Sequence, residues 1–261
     1  MDDAKEMTEI NLLIATPCHD GKVTEGYLRS VVTLTHMLRD RGAQVNLCTP
    51  AGESLITRAR NGLCGYFILE KTFTHMLFID SDLCFNPLSV IKMLESGHDL
   101  VAGCYPLKKY DMTMLREAVK KYDNDDDIRA NSLIYCFTPV GESFEVINGF
   151  CQVGDVGTGL MLISRACIDK MQAEYPELYC GVGSACCGYT DIHPEINDNF
   201  WLFFETIFDK EQKRYLSEDY YFCKLWRDIG GEVWMDMVSP VTHTGIGHFK
   251  GNISKTYNKG N

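Results

Sequence analysis

The stretch HMLFIDSDLCF (residues 75–85) sets four apolar residues, Met76 to Ile79, directly before two carboxylates, Asp80 and Asp82. A short apolar run bounded by polar residues reads as a buried strand. Side chains two apart on an extended backbone share a face, so the two acids are expected side by side, repelling each other unless a cation joins them. A hard divalent ion meets that need, because it takes oxygen ligands and keeps positions open for phosphate oxygens.

The flanking sequence repeats the strand signal between helix signals. INLLIA (10–15) reads as a buried strand, and after Thr24 the apolar positions Tyr27, Leu28, Val31, Val32, Leu34 and Leu38 follow a helical period up to Gly42. AQVNLCT (43–49) alternates as a strand, and Ser54 is placed to cap a helix running to Leu69. Asn86-Pro87 opens another helix that ends near Gly97, before the strand DLVAGC (99–104). This rhythm predicts an α/β fold with a central, mostly parallel sheet flanked by helices. Ligands of such sheets gather beyond the carboxyl ends of the strands, where Thr16-Pro17, Thr49-Pro50 and Asp80-Ser81-Asp82 all fall.

The later sequence adds a helix at 114–122, strands in SLIYCF (132–137) and SFEVI (143–147) as a small additional β region, and GDVGTGLMLISRACIDKM (154–171) as a glycine-rich turn, strand and helix. FWLFF (200–204) reads as a strand, Ser217 caps a helix to Ile229, and EVWMDM (232–237) is the last strand of the sheet. A single domain over residues 1–248 with a polar tail at 249–261 is expected.

With 261 residues and 45% hydrophobic residues the chain can bury a sizeable core. Its net charge of -11 argues against a nucleic-acid partner. No apolar stretch has the roughly 18 to 20 residues a membrane span needs, and the start MDDAKEMTEI is unlike a signal peptide. A cytoplasmic location is therefore expected, the host cytoplasm if the source is viral, with the 12 cysteines as reduced thiols. DNDDD (123–127) reads as a solvated loop, since it lacks the glycine and closing glutamate of a calcium loop. Cys180, Cys186, Cys187 and His193 lack the paired-cysteine spacing of a zinc site. Neither a Walker loop nor a dinucleotide fingerprint occurs.

Six segments, IATPCHDG, SLITRARN, THMLFIDSDLCFNP, LVAGCYPLK, VGTGLMLISR and SEDYYFCKLWRDIGG, follow one another from Ile10 to about His243. With these segments in this order the chain resembles nucleotide-sugar-dependent glycosyltransferases of the GT-A fold, particularly small soluble ones that include chlorovirus enzymes. The resemblance implies a Rossmann-like GT-A sheet and a manganese or magnesium ion. It also implies transfer of a monosaccharide from a nucleotide diphosphate sugar, with a UDP-sugar favoured, to a hydroxyl of a glycan, glycoprotein or other glycoconjugate.

By that resemblance Asp82 is the direct metal ligand, Asp80 a second candidate that with Ser81 lies nearer the ribose, and His243 a late histidine ligand, with His248 as the spare. Thr16 and Pro17 resemble the turn that cradles the nucleoside. Arg58 and Asn61, three apart on one helical face, are expected to reach the base or phosphates, with Arg60 ranked below them and a solvated helix arginine as the ordinary reading of Arg58. Asp219 resembles the base of an inverting transfer, with Glu218 as its neighbour; both fall in a first helical turn, where the dipole favours carboxylates. A retaining enzyme would not need that base, and the stereochemistry stays open.

Gly157 and Gly159 would let backbone approach the sugar, or serve as a tight turn into a strand. Tyr189, Trp201 and Phe203 are candidates for a sugar-stacking platform. The competing readings are a sugar-phosphate nucleotidyltransferase, although ATPCHDG lacks that class's glycine-rich signature with Arg and Lys, and a nucleotide-sugar-binding protein without catalysis.

Overall fold

The computed structural model of the protein describes residues 6–141, 144–181 and 194–247. Its chain forms strands β1 (Asn11–Ala15) and β2 (Gln44–Cys48) around helix α1 (Glu25–Arg39), then α2 (Ile56–Leu69), β3 (His75–Ile79), β4 (Leu83–Phe85), α3 (Pro87–Ser96) and β5 (Leu100–Gly103). An excursion follows, made of β6 (Pro106–Tyr110), α4 (Met112–Lys121), α5 (Asp125–Ala130), β7 (Leu133–Tyr135) and β8 (Phe137–Pro139). The last part holds β9 (Phe150–Val156), β10 (Leu160–Ser164), α6 (Arg165–Glu174), β11 (Ile207–Asp209), β12 (Arg214–Leu216), α7 (Glu218–Asp228), β13 (Val233–Asp236) and β14 (Val241–His243).

Eight strands make one sheet in the order β2-β1-β3-β10-β5-β13-β9-β8, and the pairs β11-β12, β14-β4 and β6-β7 form small sheets beside it. β2, β1 and β3 are parallel, as are β5 and β13. β10 runs against both β3 and β5, and β9 against β13 and β8, so the sheet is mixed. No helix among the described residues is long and apolar enough to cross a membrane.

Alternation along the strands divides the core into two layers. Leu13, Met76 and Phe78 face a layer built with Leu63 and Phe67 of α2, Ile168 of α6 and Phe222 of α7. Leu12, Ile14, Leu77 and Ile79 face the other, with Val31 and Leu34 of α1 and Val90 of α3. The helix ends follow local chemistry. The Thr24 hydroxyl accepts from the Tyr27 amide to open α1, the Asn86 side chain accepts from the Leu88 amide before Pro87 to open α3, and Gly97 closes α3 at φ 72.

Four sequence expectations change. DNDDD is not a loop throughout: Asn124 caps α5, and Asp125, Asp126 and Asp127 fill its first turn, where the dipole favours carboxylates. FWLFF is not a strand but an irregular segment that buries Phe203 and Phe204 against α2 and α7. Of SFEVI, Phe144 to Val146 are irregular and Ile147 makes only an isolated bridge to Phe150. Ser54 does not cap α2; the N-cap position is Leu55, with no side-chain hydrogen bond.

Asn61 holds the 203–205 segment in place. Its side-chain oxygen accepts from the Phe204 amide at 2.8 Å, and its amide nitrogen donates to Glu205 Oε1 at 2.8 Å and to the Phe204 carbonyl at 3.3 Å. Replacing it by alanine strands these buried groups, so Asn61→Ala is expected to lower stability by about 2 kcal/mol. Urea unfolding would show this as an earlier midpoint at unchanged slope; an unchanged midpoint would contradict the assignment.

Candidate functional site

β3 delivers Asp80 to the rim of the sheet, but the chain does not stay extended there. The Asp80 carbonyl accepts from the Leu83 amide at 3.1 Å, closing a tight turn. Asp80 and Asp82 are thereby aimed at different partners, which corrects the side-by-side expectation. Asp80 Oδ1 accepts from Arg60 Nη2 at 2.9 Å. Asp82 Oδ2 pairs with Lys108 Nζ, and its Oδ1 lies 3.3 Å from His243 Nε2.

His243 reaches this point because β14 pairs antiparallel with β4, His243 opposite Leu83, and the Thr244 amide donates to the Asp82 carbonyl. Its Nδ1 lies 2.8 Å from the Pro106 carbonyl. A carbonyl only accepts, so Nδ1 carries a proton, and the lone pair of a neutral ring is on Nε2, facing a carboxylate oxygen. Two electron-rich atoms held face to face are a seat for a cation or a proton, and a histidine ligand is commonly oriented by such an Nδ1–H to carbonyl bond. Burial alone would raise the Asp82 carboxyl, but hydrogen bonds from a protonated His243 ring and from Lys108 outweigh it and hold the group below its usual value.

Among the described residues no three His, Cys, Asp or Glu side chains converge on a common metal position. Asp82 and His243 together fit an ion that takes its remaining ligands from phosphate oxygens and water, as magnesium and manganese do in nucleotide sites. Asp80 is committed to Arg60 instead, and His248 lies outside the described residues.

Arg60 is the residue whose rank the structure reverses. Only 4% of its side chain is exposed, and it joins Asp80 on β3 to Glu218 at the start of α7, with Nε donating to Glu218 Oε1 at 3.2 Å. Burial disfavours its charge, but the two carboxylates more than restore it. Its Nη1 is buried with no hydrogen-bond partner among the described residues. Arg58 instead forms a two-pronged pair with Glu53, and Asn61 is buried in the scaffold, so neither is among the cleft-lining residues.

An open cleft of about 640 Å³ joins these groups, lined among others by Pro17, Arg60, Asp80, Asp82, Lys108 and Asp219. Ser81 also lines it, whereas the Thr16 hydroxyl is buried 2.6 Å from Tyr27 Oη. Gly157 and Gly159 do not open backbone to the cleft: a Cβ on Gly157 would fall 2.1 Å from the Tyr105 hydroxyl oxygen, and one on Gly159 2.7 Å from the Tyr105 ring. The packed Tyr105 ring then stands edge-on to His243, with centroids 5.4 Å apart.

The two acids of α7 have separate environments. Glu218 is tied to Arg60, whereas Asp219 accepts at Oδ1 from the Ser217 hydroxyl and the Tyr220 amide. Its Oδ2 makes no hydrogen bond among the described residues. Burial raises the Asp219 carboxyl above its ordinary range, and the neighbouring Glu218 charge adds to this. Trp201 and Phe203 stack in the interior at 5.5 Å, away from the residues lining the cleft, and Tyr189, Cys186, Cys187 and His193 lie outside the described residues. Lys108 and Tyr105 fall in the LVAGCYPLK segment just past the end of β5, but the resemblance gives neither a role.

No protein-family model matches the chain, and no curated protein matches it. Among solved structures, the crystal structure of A197 from STIV is similar over 91% of this chain and 87% of that one, at 14% identity and a TM-score of 0.49.

If Asp82 and His243 seat a cation, His243→Ala should weaken Mn2+ binding by roughly 10- to 100-fold. Titration calorimetry of the purified chain reads this directly. Equal Mn2+ affinity in the variant and the parent protein would remove His243 from the ligand set.

Proposed function

We propose that the chain is a metal-dependent glycosyltransferase of GT-A type that moves a monosaccharide from a nucleotide diphosphate sugar, a UDP-sugar by preference, to a hydroxyl of a glycan or glycoconjugate. One observation carries this reading. A cation-seating pair, Asp82 and His243, and a partly buried carboxylate of raised pKa, Asp219, line the same cleft as two cationic side chains, Arg60 and Lys108.

A manganese or magnesium ion held by Asp82 and His243 would neutralise charge on the leaving diphosphate. Lys108 is the protein's own donor for phosphate oxygens, while the buried Arg60 acts by holding Asp80 and Glu218 in place. Asp219 accepts the proton of the acceptor hydroxyl as that oxygen attacks the anomeric carbon, and the bond from that carbon to the diphosphate oxygen breaks. The electron pair leaves with the diphosphate, and the sugar carbon inverts. Glu218, bound to Arg60, is a positioning residue here.

Incubation with a panel of nucleotide sugars, with and without Mn2+, should raise the melting temperature only for the matching donor with metal present. No shift with any donor would remove the reading. Asp219→Asn should lower kcat by roughly 10²- to 10⁴-fold while donor binding persists.

The base must be ionised to act, and its carboxyl is raised. The rate should therefore fall on acidification at a higher pH than a free aspartate near about 3.9 would give. A pH profile whose acid limb follows an ordinary aspartate would argue for another base.

A further inference from the structure

The excursion between β5 and β7 exposes apolar and basic side chains together. α4 begins at Asp111, whose Oδ1 accepts from the Thr113 and Met114 amides, and it buries only Ala118. At 3.6 residues per turn, Met112, Leu115, Arg116, Val119 and Lys120 share one side of the helix. Thr113, Met114, Glu117 and Lys121 line the groove on its other side, with Tyr122 and Asn131. Met112 is 56% exposed and Val119 58%, and Tyr110 on the preceding strand is 54% exposed. No part of the described chain covers them.

Charge separates this surface from the rest of the molecule. The chain carries a net charge of -11, yet residues 107–122, apart from Lys108, which is paired with Asp82 in the cleft, hold Lys109, Arg116, Lys120 and Lys121 against only Asp111 and Glu117. Asp111 is used as the helix cap, and Glu117 pairs with Lys120 in an exposed ion pair of little strength. The acidic run of α5 faces elsewhere, Asp126 and Asp127 lining a chamber shared with residues 237–242. Residues 248–261 do not supply the missing negative charge, since they contain Lys250, Lys255 and Lys259 and no acid.

We propose that this face, Tyr110 and α4 with its basic flanks, docks on a bilayer surface bearing anionic headgroups. A helix that sets apolar side chains between long cationic ones matches such an interface: the apolar groups enter the acyl boundary while Lys and Arg extend to the headgroups. An extended polyanion such as a nucleic acid would satisfy the charges but leave Met112 and Val119 without a partner, and would be repelled by the rest of the chain. On the glycosyltransferase reading the docked face would bring the cleft to an acceptor carried by the membrane. That corollary rests on the reading, whereas bilayer binding does not.

The test is sedimentation of the full chain with phosphatidylcholine vesicles, with and without about one-third phosphatidylserine. Binding is expected only to the anionic vesicles and should weaken as salt rises. Two surface variants, Met112→Ser with Val119→Ser and Lys109→Glu with Arg116→Glu, should each reduce it by about tenfold or more while leaving the melting temperature and Mn2+ affinity unchanged. Absence of sedimentation with anionic vesicles, or full binding by either variant, would overturn the proposal, as would capture by an acidic polypeptide or nucleic acid with vesicles left unbound. Neither metal nor nucleotide enters the measurement, so its failure is separate from failure of the transfer reaction.

Discussion

The buried guanidinium of Arg60 organises the rim. A cation with 4% of its surface exposed must be neutralised by partners in good geometry, and Asp80 and Glu218 come from different elements to do so. Its face also lies 5.3 Å over the Phe78 ring, which fixes it against the end of β3. The pairing joins α2, β3 and α7 at one point. It also divides four nearby carboxylates into two sets: Asp80 and Glu218 are consumed in holding Arg60, while Asp82 and Asp219 keep capacity for other partners.

Much of the scaffold could be read from residue order, and the failures have specific causes. β1 and β3 were visible as apolar runs because both faces of a central strand are buried. The direction of β10 was not visible, since LMLIS has the same pattern whichever way it runs between β3 and β5. Arg58 was preferred to Arg60 on the assumption that α2 has one buried face. In fact Ala59, Arg60, Asn61, Gly62, Leu63, Cys64 and Gly65 are all buried in succession, so its phase carries no information about which residue meets the cleft. The roles of Asp82, His243 and Asp219 come from the resemblance and not from phase; the structure sets them beside the start of β4, at the end of β14 and in the first turn of α7.

The glycines around Thr158 allow two readings from sequence, access for a sugar or a tight turn into a strand. The space their missing side chains leave belongs to Tyr105, whose ring would meet a Cβ at either position. The Tyr105 hydroxyl accepts from the Gly159 amide at 3.3 Å. The Gly159 carbonyl in turn accepts from the Asp80 amide at 2.8 Å. The turn therefore bears on the site through packing: it fixes Tyr105, and the edge of Tyr105 limits where His243 can lie.

The two sides of Asp82 explain how an acidic chain can present a site for a diphosphate. Lys108 addresses Oδ2 and His243 faces Oδ1, so a cation taken by Asp82 and His243 would leave the lysine in place. Lys108 would then stand beside the cation instead of being displaced by it, and both could face one anion. The residues lining the cleft set Arg60 and Lys108 against Asp20, Asp80, Asp82, Glu218 and Asp219, so the protein alone leaves the cleft acidic like the rest of the chain, and an added cation would have to offset that charge before a diphosphate could sit there. Screening shortens the reach of the distant surface acids to about 8 Å at physiological salt, so it is the carboxylates of the cleft itself that a bound cation would have to offset.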